Sequence, residues 1–154
     1  MKSEYLTLIK KFKKRKVLVV GDFILDAYLR GSCSRLAPEA PVPVVDITEK
    51  KYCLGGSANA AANLSSLGAE VFYCTVIGED IAATQALNLL AECGVNTELV
   101  VCNPKRHTIV KTRITAPAQT LVRLDEGSET QIDTAAETKL FIICIRPTLN
   151  ATPY

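Results

Sequence analysis

Asp22, Asp26, Gly55, Gly56 and Asn59 are the residues of this 154-residue chain whose types and spacing could do chemistry. Gly55 and Gly56 follow a short apolar run and precede an uninterrupted small-residue helix pattern that ends at Gly68. That is a loop feeding a helix N-terminus. Paired glycines let backbone N–H groups approach a ligand, and the first helical turn offers unpaired donors with a partial positive charge. Asn59 falls in that first turn, where its amide can donate to and accept from a hydroxyl-rich ligand. Ala58, Ala60, Ala61 and Ala62 keep the helix thin enough to lie close against a sheet. The glycine pair on its own fits a tight turn before a packed helix equally well. It is neither a Walker loop, since no Gly-Lys-Ser/Thr follows, nor the Gly-x-Gly-x-x-Gly dinucleotide fingerprint.

Asp22 closes the apolar run Val17-Leu-Val-Val-Gly, and Asp26 lies four residues on. The run has the pattern of a buried strand in a parallel sheet. Ligands of open α/β sheets gather at the carboxyl ends of such strands. A carboxylate there accepts hydrogen bonds from sugar hydroxyls or caps a turn, and spacing does not choose between them. The cations form a second group. Arg35 sits in Gly31–Asp46, where Pro38, Pro41 and Pro43 exclude a helix and a central strand and leave an extended, edge-like flap. Lys111, Arg113 and Arg123 alternate with apolar residues, so one strand face is expected to be basic and the other packed. Such a face can hold a phosphorylated substrate, and solvated strand charges explain it almost as well.

The bulk numbers narrow the function classes. With 48% hydrophobic and 22% charged residues and a net charge of +2, the chain has a globular composition that favours neither a nucleic-acid nor a membrane partner. Its N-terminus is too polar and basic for a signal peptide. Six cysteines without Cys-x-x-Cys spacing, and the single histidine His107, make a metal site unexpected. Cysteines lying mostly in apolar runs suit reduced, buried thiols in a cytoplasmic protein.

Several elements must position these groups. Tyr5, Leu8, Ile9 and Phe12 have helical spacing, and six of the seven residues 10–16 are basic, so 1–16 is read as an amphipathic lead-in helix. Glu70–Gly78 reads as a second buried strand, and 81–93 as a helix stopped by Gly94. Strand, flap, helix, strand, helix is the pattern of a doubly wound α/β domain. Val95–Cys102, His107–Thr115 and Thr120–Asp125 read as three strands without intervening helices, and Thr138–Ile145 as one more. Residues 146–154 read as an irregular tail. A last strand with no helix after it would leave a parallel sheet uncovered, so the chain is expected to stop short of the fold it begins.

Val20-Gly-Asp-Phe-Ile-Leu-Asp26, Gly55-Gly56 with Asn59, Leu67-Gly-Ala69 and Val76-Ile-Gly-Glu-Asp80 together resemble the N-terminal half of the ribokinase, or phosphofructokinase-B-like, sugar kinase family. Ser34-Arg-Leu-Ala-Pro-Glu-Ala-Pro-Val-Pro-Val44 with Gln119-Thr-Leu-Val-Arg-Leu-Asp125 is similar, more particularly, to its D-glycero-β-D-manno-heptose 7-phosphate kinase branch, which serves ADP-heptose and lipopolysaccharide core synthesis. The resemblance covers about residues 15–127, and the proline-rich segment is its most specific part.

The resemblance implies a ribokinase-like doubly wound sheet occupying 17–145, with lid strands at about 28–54 and 107–125. It implies ATP and Mg2+ as cofactors of a complete enzyme, a sugar phosphate as substrate, and homodimers paired through the lid. It places Asp26, Gly55, Gly56 and Asn59 on the sugar hydroxyls, and Arg35, Lys111 and Arg113 near the sugar's phosphate. Ser57 stands where the family often has alanine or glycine. The family's catalytic Gly-Ala-Gly-Asp, which supplies general base and anion hole, occurs nowhere in these residues. Phosphoryl transfer depends on such groups around the γ-phosphate. The implied role is therefore the substrate-binding half of a kinase, inactive by itself, with no catalytic, cofactor or metal residue assigned. Another ribokinase-type sugar or nucleoside kinase, and a non-catalytic carbohydrate-binding or regulatory module, are the competing readings.

Overall fold

The computed structural model describes residues 2–13, 15–117 and 119–149. In chain order the elements are α1 (Lys2–Phe12), β1 (Lys16–Val20), β2 (Phe23–Leu36), β3 (Pro43–Gly55), α2 (Gly56–Ser66), β4 (Glu70–Ile77), α3 (Ile81–Glu92), β5 (Val100–Cys102), β6 (Val110–Ala116), β7 (Gln119–Glu126) and α4 (Thr134–Leu149). They build two sheets. The core sheet is parallel with order β1-β4-β5, and the second has order β3-β2-β6-β7.

β4 is the centre of the core because its alternation is overlaid by burial on both faces: Val71, Tyr73, Cys74 and Ile77 are all buried. Ala58 and Ala61 of α2, with Ala83, Ala86 and Leu90 of α3, join Val71, Tyr73 and Ile77 in one hydrophobic cluster. Alanines let the helix axes approach the sheet closely, as the thin-helix pattern anticipates. Ser57 fixes the start of α2. Its hydroxyl donates to the Asp22 carbonyl at 2.6 Å and shares a 2.6 Å hydrogen bond with the Tyr73 hydroxyl. Burial raises the Tyr73 phenol, partly offset by its hydrogen bonds to Ser57 and Thr75. Ser57 thus satisfies a phenol that an alanine at this position would leave without that partner.

The second sheet is the flap. β2 follows β1 after only two intervening residues, pairs antiparallel with β3 and parallel with β6, and β6 pairs antiparallel with β7. The prolines act as expected: Pro38 and Pro41 lie in the β2–β3 connection, and Pro43 opens β3, which is an edge strand.

Four sequence expectations are corrected. Residues 138–145 are not a strand but part of α4, which runs to Leu149, so the start of the supposed tail is helical; residues 150–154 lie outside the described residues. Asp133 caps that helix, accepting from Ala136 N–H at 2.8 Å. Buried Ala136 and half-buried Leu140, Ile143 and Cys144 then recur at helical spacing as α4 packs on β4 and β5. β1 is not fully buried, because it is the edge of its sheet, and Val20 is 56% exposed. The strand expected over Val95–Cys102 shortens to Val100–Cys102, with one isolated bridge at Asn96. The cysteines are free as expected, but only Cys74 is buried; Cys33, Cys93 and Cys102 are exposed. Burial first, and then the neighbouring Cys144 thiol 3.5 Å away, push the Cys74 thiol up and keep it protonated.

Asp80 joins the two sheets. It caps α3 through Ala83 N–H at 2.7 Å and accepts Thr108 N–H at 2.8 Å, just before β6. Thr108 in turn accepts Gly78 N–H at 3.0 Å. Nearby, Arg106 donates to the carbonyls of Ser128 and Thr130, tying down the segment between β7 and α4. Partial burial alone would push the Asp80 carboxyl up, but the hydrogen bonds from Thr108 and Ala83 outweigh it and the carboxyl titrates below its ordinary 3.8. Asp80→Ala is therefore expected to lower the unfolding free energy by about 1–2 kcal/mol in urea titrations at neutral pH. A depressed folded value gives stability that is complete above the unfolded pKa and is lost as pH falls through the folded one. The variant's deficit should shrink below about pH 3; a deficit unchanged there would contradict this role.

Candidate functional site

β2 carries Asp26 on the sheet face opposite its neighbours Leu25 and Ala27, which are buried. The strand register places Asp26 between Cys53 of β3 and Lys111 of β6, and Tyr28 between Lys51 and Arg113. Registered partners share a face, so Asp26, Tyr28, Lys111 and Arg113 lie together. Arg113 Nη1 donates to Asp26 Oδ1 in a partly buried ion pair. The Arg113 guanidinium also lies 5.3 Å from the centroid of the Tyr28 ring, in cation–π contact. Its hydrogen bond to Asp26 raises Arg113 above its already high ordinary value, so it stays charged.

Gly55, the last residue of β3, lies directly beneath the carboxylate: a Cβ there would collide with Asp26 Oδ2. Gly56 has φ +56°, and a Cβ on it would come within 2.9 Å of the Asp22 carbonyl. Both glycines are thus required, one by a carboxylate and one by backbone geometry. Asn59 lies on the exposed side of α2, where its side-chain oxygen accepts from Asn63 at 3.4 Å. Gly55, Gly56 and Asp26 are therefore brought together, with Asn59 one helical turn beyond them.

The basic face is corrected to a mixed one. β7 lays Arg123 opposite Arg113 and Asp125 opposite Lys111. Like charges directly opposed destabilise a ladder. Each arginine here turns to its own carboxylate: Arg113 to Asp26, and Arg123 to Asp125 through Nε and Nη2 at 2.9 and 3.0 Å. Lys111 Nζ lies 3.8 Å from the same Asp125. Arg35 does not join this cluster. It is exposed at the far end of β2 opposite Val44, nine residues from Asp26, a span of roughly 30 Å along a strand. His107 is on the surface, 3.9 Å from Asp80. The roles of Tyr28, Asp125 and Asp80 were not singled out from sequence, although the i, i+2 spacing of Arg123 and Asp125 on a strand was visible there.

Two hollows flank the site, and Asp26 lines neither. The larger, about 810 Å³, lies against the opposite flap face, among Leu25, Ala27, Tyr52, Val110 and Ile81. The smaller, about 210 Å³, opens at the carboxyl ends of β1 and β4 and is lined by Gly21, Asp22 and Thr75. No helix among the described residues is long and apolar enough to cross a membrane.

A parallel core sheet with glycine-led helix α2, and a four-stranded flap rooted at the same turn, is the arrangement the resemblance implies. Residues 14–144 match the model of the pfkB family carbohydrate kinases. The chain belongs to that family. It is 46% identical over 114 residues to the bifunctional protein HldE of Campylobacter concisus, covering 74% of this chain and 24% of that protein. To the HldE of Sulfurimonas denitrificans it is 41% identical over 127 residues, 82% of this chain and 26% of the relative. The chain thus spans about a quarter of the length of these curated relatives. Among solved structures it is similar to Arabidopsis thaliana ribokinase complexed with ribose and ATP, with a TM-score of 0.62 and 17% identity over 84% of this chain and 42% of that one. The ribokinase of Cryptococcus neoformans in complex with ADP gives 0.57 and 19%, over 78% and 37%. At such identities the likeness establishes the fold alone: a ribokinase-like α/β fold with its β lid.

In this pfkB family chain, Gly55→Ala should lower stability by about 1–3 kcal/mol, because the added methyl overpacks against Asp26. The same change in an Asp26→Ala background should cost clearly less. Equal costs in the two backgrounds, measured by chemical denaturation, would mean that the carboxylate does not lie over Gly55.

Proposed function

We propose that this chain forms the sugar-binding half of an ATP-dependent kinase acting on D-glycero-D-manno-heptose 7-phosphate, in ADP-heptose synthesis for lipopolysaccharide core in the cytoplasm. The observation that carries the reading is the Asp26 carboxylate, fixed by Arg113 above Gly55 at the root of the lid. An ionised carboxylate accepts several hydrogen bonds and suits vicinal hydroxyls. With one oxygen oriented by Arg113, the other faces the glycine turn and the start of α2, where Asn59 and backbone N–H groups supply complementary donors. The lid strands carrying Tyr28 and Lys111 cover the sugar and restrict water. The relatives named HldE support the heptose branch, and the name is theirs. The exposed edge strands β3 and β7 are the surfaces through which two lids would pair.

No nucleotide or Mg2+ ligand is assigned to these residues. Among the described residues no three His, Cys, Asp or Glu side chains stand close enough to hold a metal ion, and no Gly-Ala-Gly-Asp occurs in the sequence. No phosphoryl-transfer step is assigned to them, and these 154 residues alone should release no ADP. The test is calorimetric titration with heptose 7-phosphate, ribose and fructose. Heptose 7-phosphate should bind at least about tenfold more tightly than the others, a difference of about 1.4 kcal/mol, and Asp26→Ala should abolish it. Preference for ribose or fructose would move the chain to another branch, and no binding to any of the three would sink the sugar-site reading.

A further inference from the structure

Resting on the sugar-phosphate reading above, we propose that Lys111 and Arg123 form the seat of the substrate's phosphate group, and that Asp125 holds these cations in place until the phosphate takes them over. The two arginines of the lid face are not equivalent. Arg113 is committed to Asp26 and backed by Tyr28, so it positions the sugar-binding carboxylate instead of meeting the phosphate. Arg123 presents a fork: Nε and Nη2 reach the two oxygens of one carboxylate at 2.9 and 3.0 Å. That fork geometry fits a phosphate as well as a carboxylate. Lys111 converges on the same point from the neighbouring strand, with its Nζ 3.8 Å from Asp125 Oδ2.

Exposure and register support the exchange. Arg123 is 55% and Asp125 34% exposed, and ion pairs so open to solvent contribute little, so a doubly charged phosphate can displace Asp125. Asp26, Lys111 and Asp125 stand in one line across β2, β6 and β7. Two strand spacings separate the sugar carboxylate from the seat, about 10 Å between their backbones. A sugar held at Asp26 by its hydroxyls would therefore lay a phosphate on its far end over Lys111 and Arg123, so the lid would measure the distance between hydroxyl and phosphate.

Binding of heptose 7-phosphate, unphosphorylated heptose and inorganic phosphate to the wild type, Arg123→Gln and Asp125→Asn tests this. Both positions lie on an exposed edge strand, and circular dichroism melts check that the variants fold. Arg123→Gln should weaken heptose 7-phosphate at least tenfold while leaving unphosphorylated heptose within twofold. Asp125→Asn should tighten both phosphate-bearing ligands. Wild-type affinity of Arg123→Gln for heptose 7-phosphate would overturn the seat and leave the sugar-site reading standing. Weakening in Asp125→Asn as large as in Arg123→Gln would overturn the displaceable role of Asp125. If the wild type binds neither sugar, the functional reading falls and inorganic phosphate decides the seat: Arg123-dependent binding supports it, and no binding overturns it.

Discussion

A carboxylate held at the root of a small sheet needs a fixed cation and room, and the site depends on both. Arg113 supplies the cation from β6, and Gly55 supplies the room by having no side chain. Neither residue is near Asp26 in sequence. The parallel pairing of β2 with β6 and the antiparallel pairing of β2 with β3 bring them there. Partly buried charges left without partners are costly, so the same pair that orients Asp26 also ties the lid strands together.

The joint between lid and core is built from polar contacts that close specific gaps. Ser57 bonds both the β1–β2 turn and Tyr73 beneath it, and Asp80 bonds both α3 and the entry to β6. Alanine faces on α2 and α3 allow close packing on β4, which gives these bonds fixed geometry. The lid face then carries two separate aspartate–arginine pairs, which cancels the repulsion of arginines in direct register.

Much of this was legible in the chain. The Gly55-Gly56 turn, the small-residue helix after it and the strands at Val17 and Glu70 follow from local patterns that depend on neighbours only a few residues away. The lid was legible as strands because prolines and alternating charges mark edges. What was not legible depended on pairing. No local signal says that Arg113 meets Asp26 or that Arg35 lies far from both. Residues 138–145 misled because β-branched apolar residues fit either period over a short window; including Ala136 and the cap at Asp133 restores the helical one. Ser57, which no local pattern explains, is accounted for by its hydrogen bond to a tyrosine 16 positions away.

The measurement that tests the account most directly is a double-mutant cycle between Asp26→Asn and Arg113→Met, followed by urea unfolding. A partly buried, hydrogen-bonded ion pair predicts a coupling of about 1 kcal/mol or more. A coupling indistinguishable from zero would mean that the two side chains do not hold one another, and the carboxylate proposed to meet the sugar would have lost the interaction on which its orientation rests.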